Sequence, residues 1–151
     1  MRINFYTKLI TEQVFLKEID QMEEHTGYLI LRNPRLNKGT AFTIEEREKY
    51  GLIGLMPNTI ESLETQRLRV DEQLDSFEKP INKYIYLMQL LETNETLFFK
   101  TISTEPSKFL PIVYTPTVGE ACQQLGHISR RVRCLFISID QKDNIKEILR
   151  N

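Results

Sequence analysis

The chain has 151 residues, 40% of them apolar and 27% charged, with a formal net charge of −1. Those values fit one ordinary globular domain with a real core, and they give no electrostatic footing for nucleic acid or an anionic membrane surface. The longest apolar runs fall far short of the ~20 residues needed to span a bilayer, and two cysteines make no disulfide framework.

The N-terminal segment carries Phe5, Leu9, Ile10, Val14, Phe15, Ile19 and Met22 at near-helical spacing, with Gly27 as its stop. Its Arg2 and Lys8 are mixed with Glu12, Glu18 and Asp20, and it has no apolar h-region. It does not read as a signal or transit peptide, so a reducing, cytoplasmic location is expected. Asn33-Pro34 and Asn37-Lys38-Gly39 mark a loop. Thr43-Ile44-Glu45-Glu46 has the form of a capping box and predicts a helix from Ile44 to Tyr50, stopped at Gly51.

Pro57-Asn58-Thr59 reads as the start of the next helix. Its face is Ile60, Leu63, Arg67, Leu68, Val70 and Leu74, and it ends near Ser76. Pro80 begins another, with Ile81, Tyr84, Ile85, Met88 and Leu91 recurring every three to four residues. Asn94 is placed to cap a helix from Glu95 to Ile102, and Thr104-Glu105-Pro106 reads as a loop. Ile112, Val113 and Tyr114 form a short β-prone run. Thr115 and Pro116 then read as N-cap and first position of a helix that stops near Gly126. Cys134 to Ile139 is the clearest strand, and Asp143 is expected to cap a last helix, Asn144 to Leu149.

The segment Pro111-Ile112-Val113-Tyr114-Thr115-Pro116-Thr117-Val118-Gly119 carries the most chemistry. It sets the Tyr114 phenol at a corner beside a helix start, where it could give a proton to a developing anion; a half-buried packing tyrosine is the competing reading. Four other stretches stand in order with it: Gly39-Thr40-Ala41-Phe42-Thr43, Leu52-Ile53-Gly54-Leu55-Met56-Pro57, Asn94-Glu95-Thr96-Leu97-Phe98-Phe99 and Leu135-Phe136-Ile137-Ser138-Ile139.

In this order and spacing the chain, over roughly residues 27–151, resembles the N-terminal part of malic enzymes. The resemblance implies a mainly α fold with a few short strands (α+β). Its parts are an N-terminal helical segment over 1–26, the family's helical N-terminal domain over 27–132, and the start of an α/β domain over 133–151. It implies a family that decarboxylates malate oxidatively to pyruvate and CO2 with NAD or NADP and Mg2+ or Mn2+. Tyr114 stands at the family's catalytic tyrosine, which protonates the enol carbon on the way to pyruvate.

The family's catalytic lysine, acidic metal ligands and Gly-rich dinucleotide fold would lie beyond Asn151. No G-x-G-x-x-G occurs in this sequence. His25 and His127 have no His or Cys at ligand spacing, and Glu23-Glu24 and Glu45-Glu46 read as solvated helix faces. The chain alone is therefore expected to hold no metal and no cofactor and to be inactive. Its expected partners are the rest of a malic enzyme, or other subunits in a homo-oligomer. The alternative is a free-standing, noncatalytic relative acting as a binding or regulatory module.

Two departures bear on the resemblance. Glu61, Gln66 and Arg69 match positions where some animal malic enzymes bind fumarate at a subunit interface, but Thr93 replaces their second arginine. A dicarboxylate would lose one cationic clamp, and a structural ion pair is the expected role of Arg69. Arg130, Arg131 and Arg133 form a basic cluster expected to make surface ion pairs, followed by Cys134 where the family has glycine.

Overall fold

Helices α1 (Tyr28–Arg32) and α2 (Ile44–Lys49), with a 3-10 turn at Gly39–Ala41 between them, gather a small core of Ile30, Leu36, Phe42 and Leu52. These and the following elements come from a computed structural model, which describes residues 26–128, 133 and 135–150. The expected helix over residues 3–24 lies outside the described residues. The capping box at Thr43 forms in full: its side chain accepts from the Glu46 N–H, and Glu46 reaches back to the Thr43 N–H. Gly51, at φ 66°, ends that helix as the sequence suggests.

Four longer helices build the larger core: α3 (Leu63–Asp75), α4 (Pro80–Thr93), α5 (Glu95–Thr104) and α6 (Pro106–Val113). Val70, Leu74, Leu87, Leu97, Phe98 and Phe109 are buried together between them. Short helices α7 (Thr117–Gln123) and α8 (Leu125–Ile128) follow, with α7 against α4 and α6. The chain then runs to a 3-10 turn at Ile139–Asn144 and a single helical turn, α9 (Ile145–Ile148).

A polar joint links the two cores. The Asn37 amide donates to the Thr93 carbonyl at 2.9 Å, the Glu95 N–H to the Pro34 carbonyl at 2.8 Å, and the Gln66 amide to the Lys38 carbonyl at 3.1 Å. Asn94 sits at its centre. Its Oδ1 accepts from the Leu97 N–H at 2.9 Å, which makes it the expected cap of α5.

Several expectations are corrected. The described residues are helical, turn or irregular, with no strand among them. Ile112 and Val113 belong to α6, because with Phe109 they stand at i, i+3 and i+4 and pack on the larger core. Their β-branching is outweighed by that burial. Residues 135–138 are irregular, with Leu135, Phe136 and Ile137 exposed. A strand draws its hydrogen bonds from a neighbour, and no extended segment lies beside this one among the described residues.

Helix α3 starts after Ser62, whose hydroxyl accepts from the Thr65 N–H at 3.0 Å, rather than at Thr59. The carbonyls of Pro57, Asn58 and Thr59 are held by Arg47, which keeps that stretch out of the helix. Ile60 and Leu68 are consequently exposed, while Gln66 and Arg67 are buried. The expected loop at 104–106 shrinks to Glu105 between α5 and α6. Helix α7 begins at Thr117, with Pro116 as the residue before it, after a cis Thr115–Pro116 bond. The last helix begins at Ile145 with no side-chain cap, so Asp143 does not cap it.

Candidate functional site

Tyr114 is the first residue after α6 and stands three residues before α7. Its backbone is tied on both sides: its N–H donates to the Leu110 carbonyl at 2.8 Å and its carbonyl accepts from the Val118 N–H at 3.0 Å. The Thr117 hydroxyl donates to the Pro111 carbonyl at 2.8 Å, which closes the corner between the two helices. Pro111, inside the last turn of α6, has no N–H to give the Ser107 carbonyl, and the helix ends two residues later at Val113. The corner is therefore fixed by main-chain bonds, and Phe109, fully buried, anchors it to the core.

The side chain at this fixed corner is free. Tyr114 is 68% exposed, and its hydroxyl meets no polar group among the described residues. A buried packing tyrosine would bury its ring and satisfy its hydroxyl; Tyr114 does neither. The expected strand-to-helix corner is a helix-to-helix corner, and Tyr114 keeps its place at the turn. A phenol presented this way can serve as a proton donor to a group brought against it.

The second set of sequence candidates forms a different site. Glu61 and Arg69 meet in a two-pronged ion pair: Nη1 donates to Oε1 at 2.5 Å and Nη2 donates to Oε2. The Thr40 hydroxyl also donates to Glu61 at 2.6 Å. The Arg69 guanidinium, then the Thr40 hydroxyl, hold the Glu61 carboxyl below the ordinary carboxylate range. Gln66, buried, is directed to the Lys38 carbonyl rather than to this pair. Thr93 donates its hydroxyl to carbonyls of its own helix, Gln89 and Leu90.

Arg133 donates to Glu92 at 2.5 Å, to Glu95, and to the Leu91 carbonyl at 3.3 Å, an ion-pair role of the kind expected for this cluster; Arg130 and Arg131 lie outside the described residues. Its two carboxylates raise the Arg133 pKa further, Glu95 first. Sequence reading did not single out Arg47 or the network of Arg67 with Glu64 and Asp71. Both are buried arginines in helix faces, and an arginine at an apolar helical position is the only sequence signal for them.

Among the described residues no three of His, Cys, Asp and Glu stand together as a metal site would require. His127 is exposed near the end of α8, and His25 lies outside the described residues. Glu45 is exposed at the start of α2, while Glu46 is occupied by the capping box and by Lys38 at 2.5 Å. The sequence has no G-x-G-x-x-G turn for a dinucleotide. No helix among the described residues is long and apolar enough to cross a membrane.

Residues 91–151 match the family model described as malic enzyme, N-terminal domain. The chain is 48% identical over 127 residues to the NAD-dependent malic enzyme of Acinetobacter baylyi, covering 84% of this chain and 22% of that protein. It is 47% identical over 125 residues to NAD-dependent malic enzyme 2 of Vibrio vulnificus, covering 83% of this chain and 22% of the relative. The NAD-dependent malic enzyme of Idiomarina loihiensis is 47% identical over 127 residues, or 84% of this chain and 23% of that protein. The chain thus spans less than a quarter of the length of these relatives.

Proposed function

Because the chain belongs to the malic enzyme family, we propose that it is the N-terminal portion of an NAD-dependent malic enzyme and supplies that enzyme's proton-donating tyrosine, Tyr114. The observation that carries this reading is the pairing of a fixed backbone with a free phenol at the α6–α7 corner. The main-chain bonds to Leu110 and Val118 hold the donor's position, and the unengaged hydroxyl is available to a substrate.

The reaction is the conversion of malate to pyruvate and CO2, with NAD as hydride acceptor and a divalent cation bound by other parts of the enzyme. Tyr114 acts after CO2 has left. Its phenolic proton passes to the enol carbon and a C–H bond forms, the enol O–H bond breaks as the ketone C=O forms and its proton leaves to solvent, and the phenolate left behind regains a proton from solvent. Exposed apolar side chains such as Leu110, Phe136 and Ile137 would be covered by the rest of the enzyme and by neighbouring subunits of a homo-oligomer. A cytoplasmic location is part of this reading, supported by two cysteines with no disulfide framework, of which Cys122 is a free thiol.

The test is Tyr114→Phe in a full-length malic enzyme that carries residues 27–151 of this chain in place of its own. The expected kcat falls by about 10²-fold or more, the usual scale for a positioned general acid. Stability should move by less than about 0.5 kcal/mol, because the hydroxyl has no partner among the described residues to lose. A kcat near wild type, with stability lost instead, makes the hydroxyl a structural donor and refutes the assignment.

A further inference from the structure

Helix α6, which ends at Tyr114, has little to hold it by itself. It is eight residues long, its start has no side-chain cap, and Pro111 removes one of its internal hydrogen bonds. Its placement is therefore set by the helices packed against it. Phe109 is fully buried in the larger core, and Ile112 and Val113 pack on the same core. Such apolar contacts fix how deep the helix lies, but they are non-directional and leave its rotation weakly set. The main-chain bonds at the corner tie Tyr114 to α6 and α7; they do not tie α6 to the rest of the molecule.

Helix α3 supplies a directional tie, a strip of charge that reaches both α5 and α6. Arg67, buried at its centre, donates to Glu64 at 2.7 Å and to Asp71. Each of those carboxylates takes a lysine from another helix. Lys100 of α5 lies 3.3 Å from Glu64, and Lys108 of α6 lies 3.5 Å from Asp71 Oδ1 and 3.9 Å from Asp75.

The Lys108 contact is the more demanding of the two. Asp71 Oδ1 is buried and has no hydrogen-bond partner among the described residues, so the Lys108 ammonium is the charge that compensates it. The same ammonium lies 5.2 Å from the centre of the Phe109 ring, the buried anchor of α6. A rotation of α6 would pull the cation from the aspartate and leave a buried carboxylate oxygen uncompensated.

We propose that Lys108, held by Asp71, is a positioning residue for Tyr114: it sets the rotation of α6 against α3, and with it the direction in which the phenol leaves the α6–α7 corner. This rests on the proton-donating role of Tyr114 proposed above. Lys108 stands six residues before Tyr114, about 9 Å along a helix, and acts through that helix rather than on the substrate. A donor misplaced by about 1 Å costs up to roughly 10²-fold in rate, so a contact of this kind is felt at the reacting carbon.

The test uses the full-length malic enzyme carrying residues 27–151 described above. Lys108→Met should lower kcat and kcat/KM for malate together by roughly tenfold, with KM unchanged within about twofold. Lys108→Arg, which keeps a cation able to reach both aspartates, should recover most of the rate. Lys100→Met, which removes the other lysine of the strip, should leave kcat unchanged. In a Tyr114→Phe enzyme, Lys108→Met should lower kcat no further, because the donor it positions is gone. A Lys108→Met enzyme with parental kcat, or with the same loss in the Tyr114→Phe background, overturns the positioning role and leaves the reading of Tyr114 standing. So do an equal loss in Lys100→Met and a Lys108→Arg enzyme as slow as Lys108→Met. Tyr114→Phe without effect on kcat overturns the reading of Tyr114 itself, and the positioning role falls with it.

Discussion

Arg47 gives the sharpest test of how this fold is held. It lies in α2, is 3% exposed, and spends its guanidinium wholly on main-chain carbonyls. Nε donates to Phe42 at 3.0 Å. Nη1 donates to Pro57 at 2.8 Å and Asn58 at 3.2 Å, and Nη2 to Thr59 at 3.0 Å and Thr40 at 3.2 Å. No carboxylate is bonded to it among the described residues. The perturbation is Arg47→Met, which keeps an unbranched stem of helix-forming chemistry and removes the donors.

A bond to a charged donor is worth about 1.5–3 kcal/mol, so five taken singly would suggest about as much as the whole stability of a domain. The sum overcounts. Pro57, Asn58 and Thr59 are exposed, and their carbonyls regain water once the loop relaxes; the Thr40 carbonyl keeps a second donor, the Glu61 N–H at 3.1 Å. What remains is the carbonyl of Phe42, a fully buried residue, together with the ordering of residues 57–61. Those two together make a loss of about 3 kcal/mol the expected result. At about 2–4 °C per kcal/mol for a domain of this size, Tm should fall by roughly 6–12 °C. Urea unfolding read by circular dichroism measures it. Arg47→Lys, with three donors on a point charge, should recover only part of the loss. A cost under 1 kcal/mol for Arg47→Met would show that the five bonds are exchanged for water at little expense, and that residues 57–61 are held by something else.

The other expectations follow from single contacts. Asn94→Ala should cost about 1–2 kcal/mol, the usual value for a lost N-cap, and Asn94→Ser should recover most of it in the same urea assay. Glu61 has its pKa held below that of an ordinary carboxylate by Arg69 and Thr40, so its stabilising contribution is present above the unfolded carboxylate's pKa and lost as pH falls through the folded one. Glu61→Gln should therefore melt lower at neutral pH than the parent and converge with it in acid; equal gaps at pH 7 and well below 4.5 would refute the ion pair's part in stability. The 151-residue chain by itself, given malate, NAD and Mn2+, should form no NADH above background, and turnover near 1 s⁻¹ would contradict a reading in which the metal and dinucleotide sites lie elsewhere.

Much of the helical frame is legible in local chemistry, where one residue decides one boundary. Thr43 with Glu46, Gly51, Pro80 and Asn94 all mark ends that the structure keeps. The misread boundaries have a shared cause: the deciding partner is distant in sequence. Thr59 looks like a helix start until Arg47, twelve residues earlier, takes its carbonyl. Ser62 is then the first residue free to cap, and the face of α3 turns so that Gln66 can reach the Lys38 carbonyl, 28 positions away. Propensity carries no record of such bonds.

The same contrast runs through the candidate site. Tyr114 is singled out by its motif, yet the β-prone look of Ile112 and Val113 points to a strand, while their register with Phe109 puts them on a helix that buries one side. Branched residues favour strands only where a neighbouring strand receives them, and here the larger core receives them instead. That difference has a consequence for the chemistry. A strand end would leave the Tyr114 main chain dependent on a sheet. The α6–α7 corner fixes it through Leu110, Val118 and the Thr117–Pro111 bond, all within nine residues of sequence. The Tyr114 backbone is thus set by its immediate neighbours, and under the role proposed above its exposed side chain is what a substrate would have to reach.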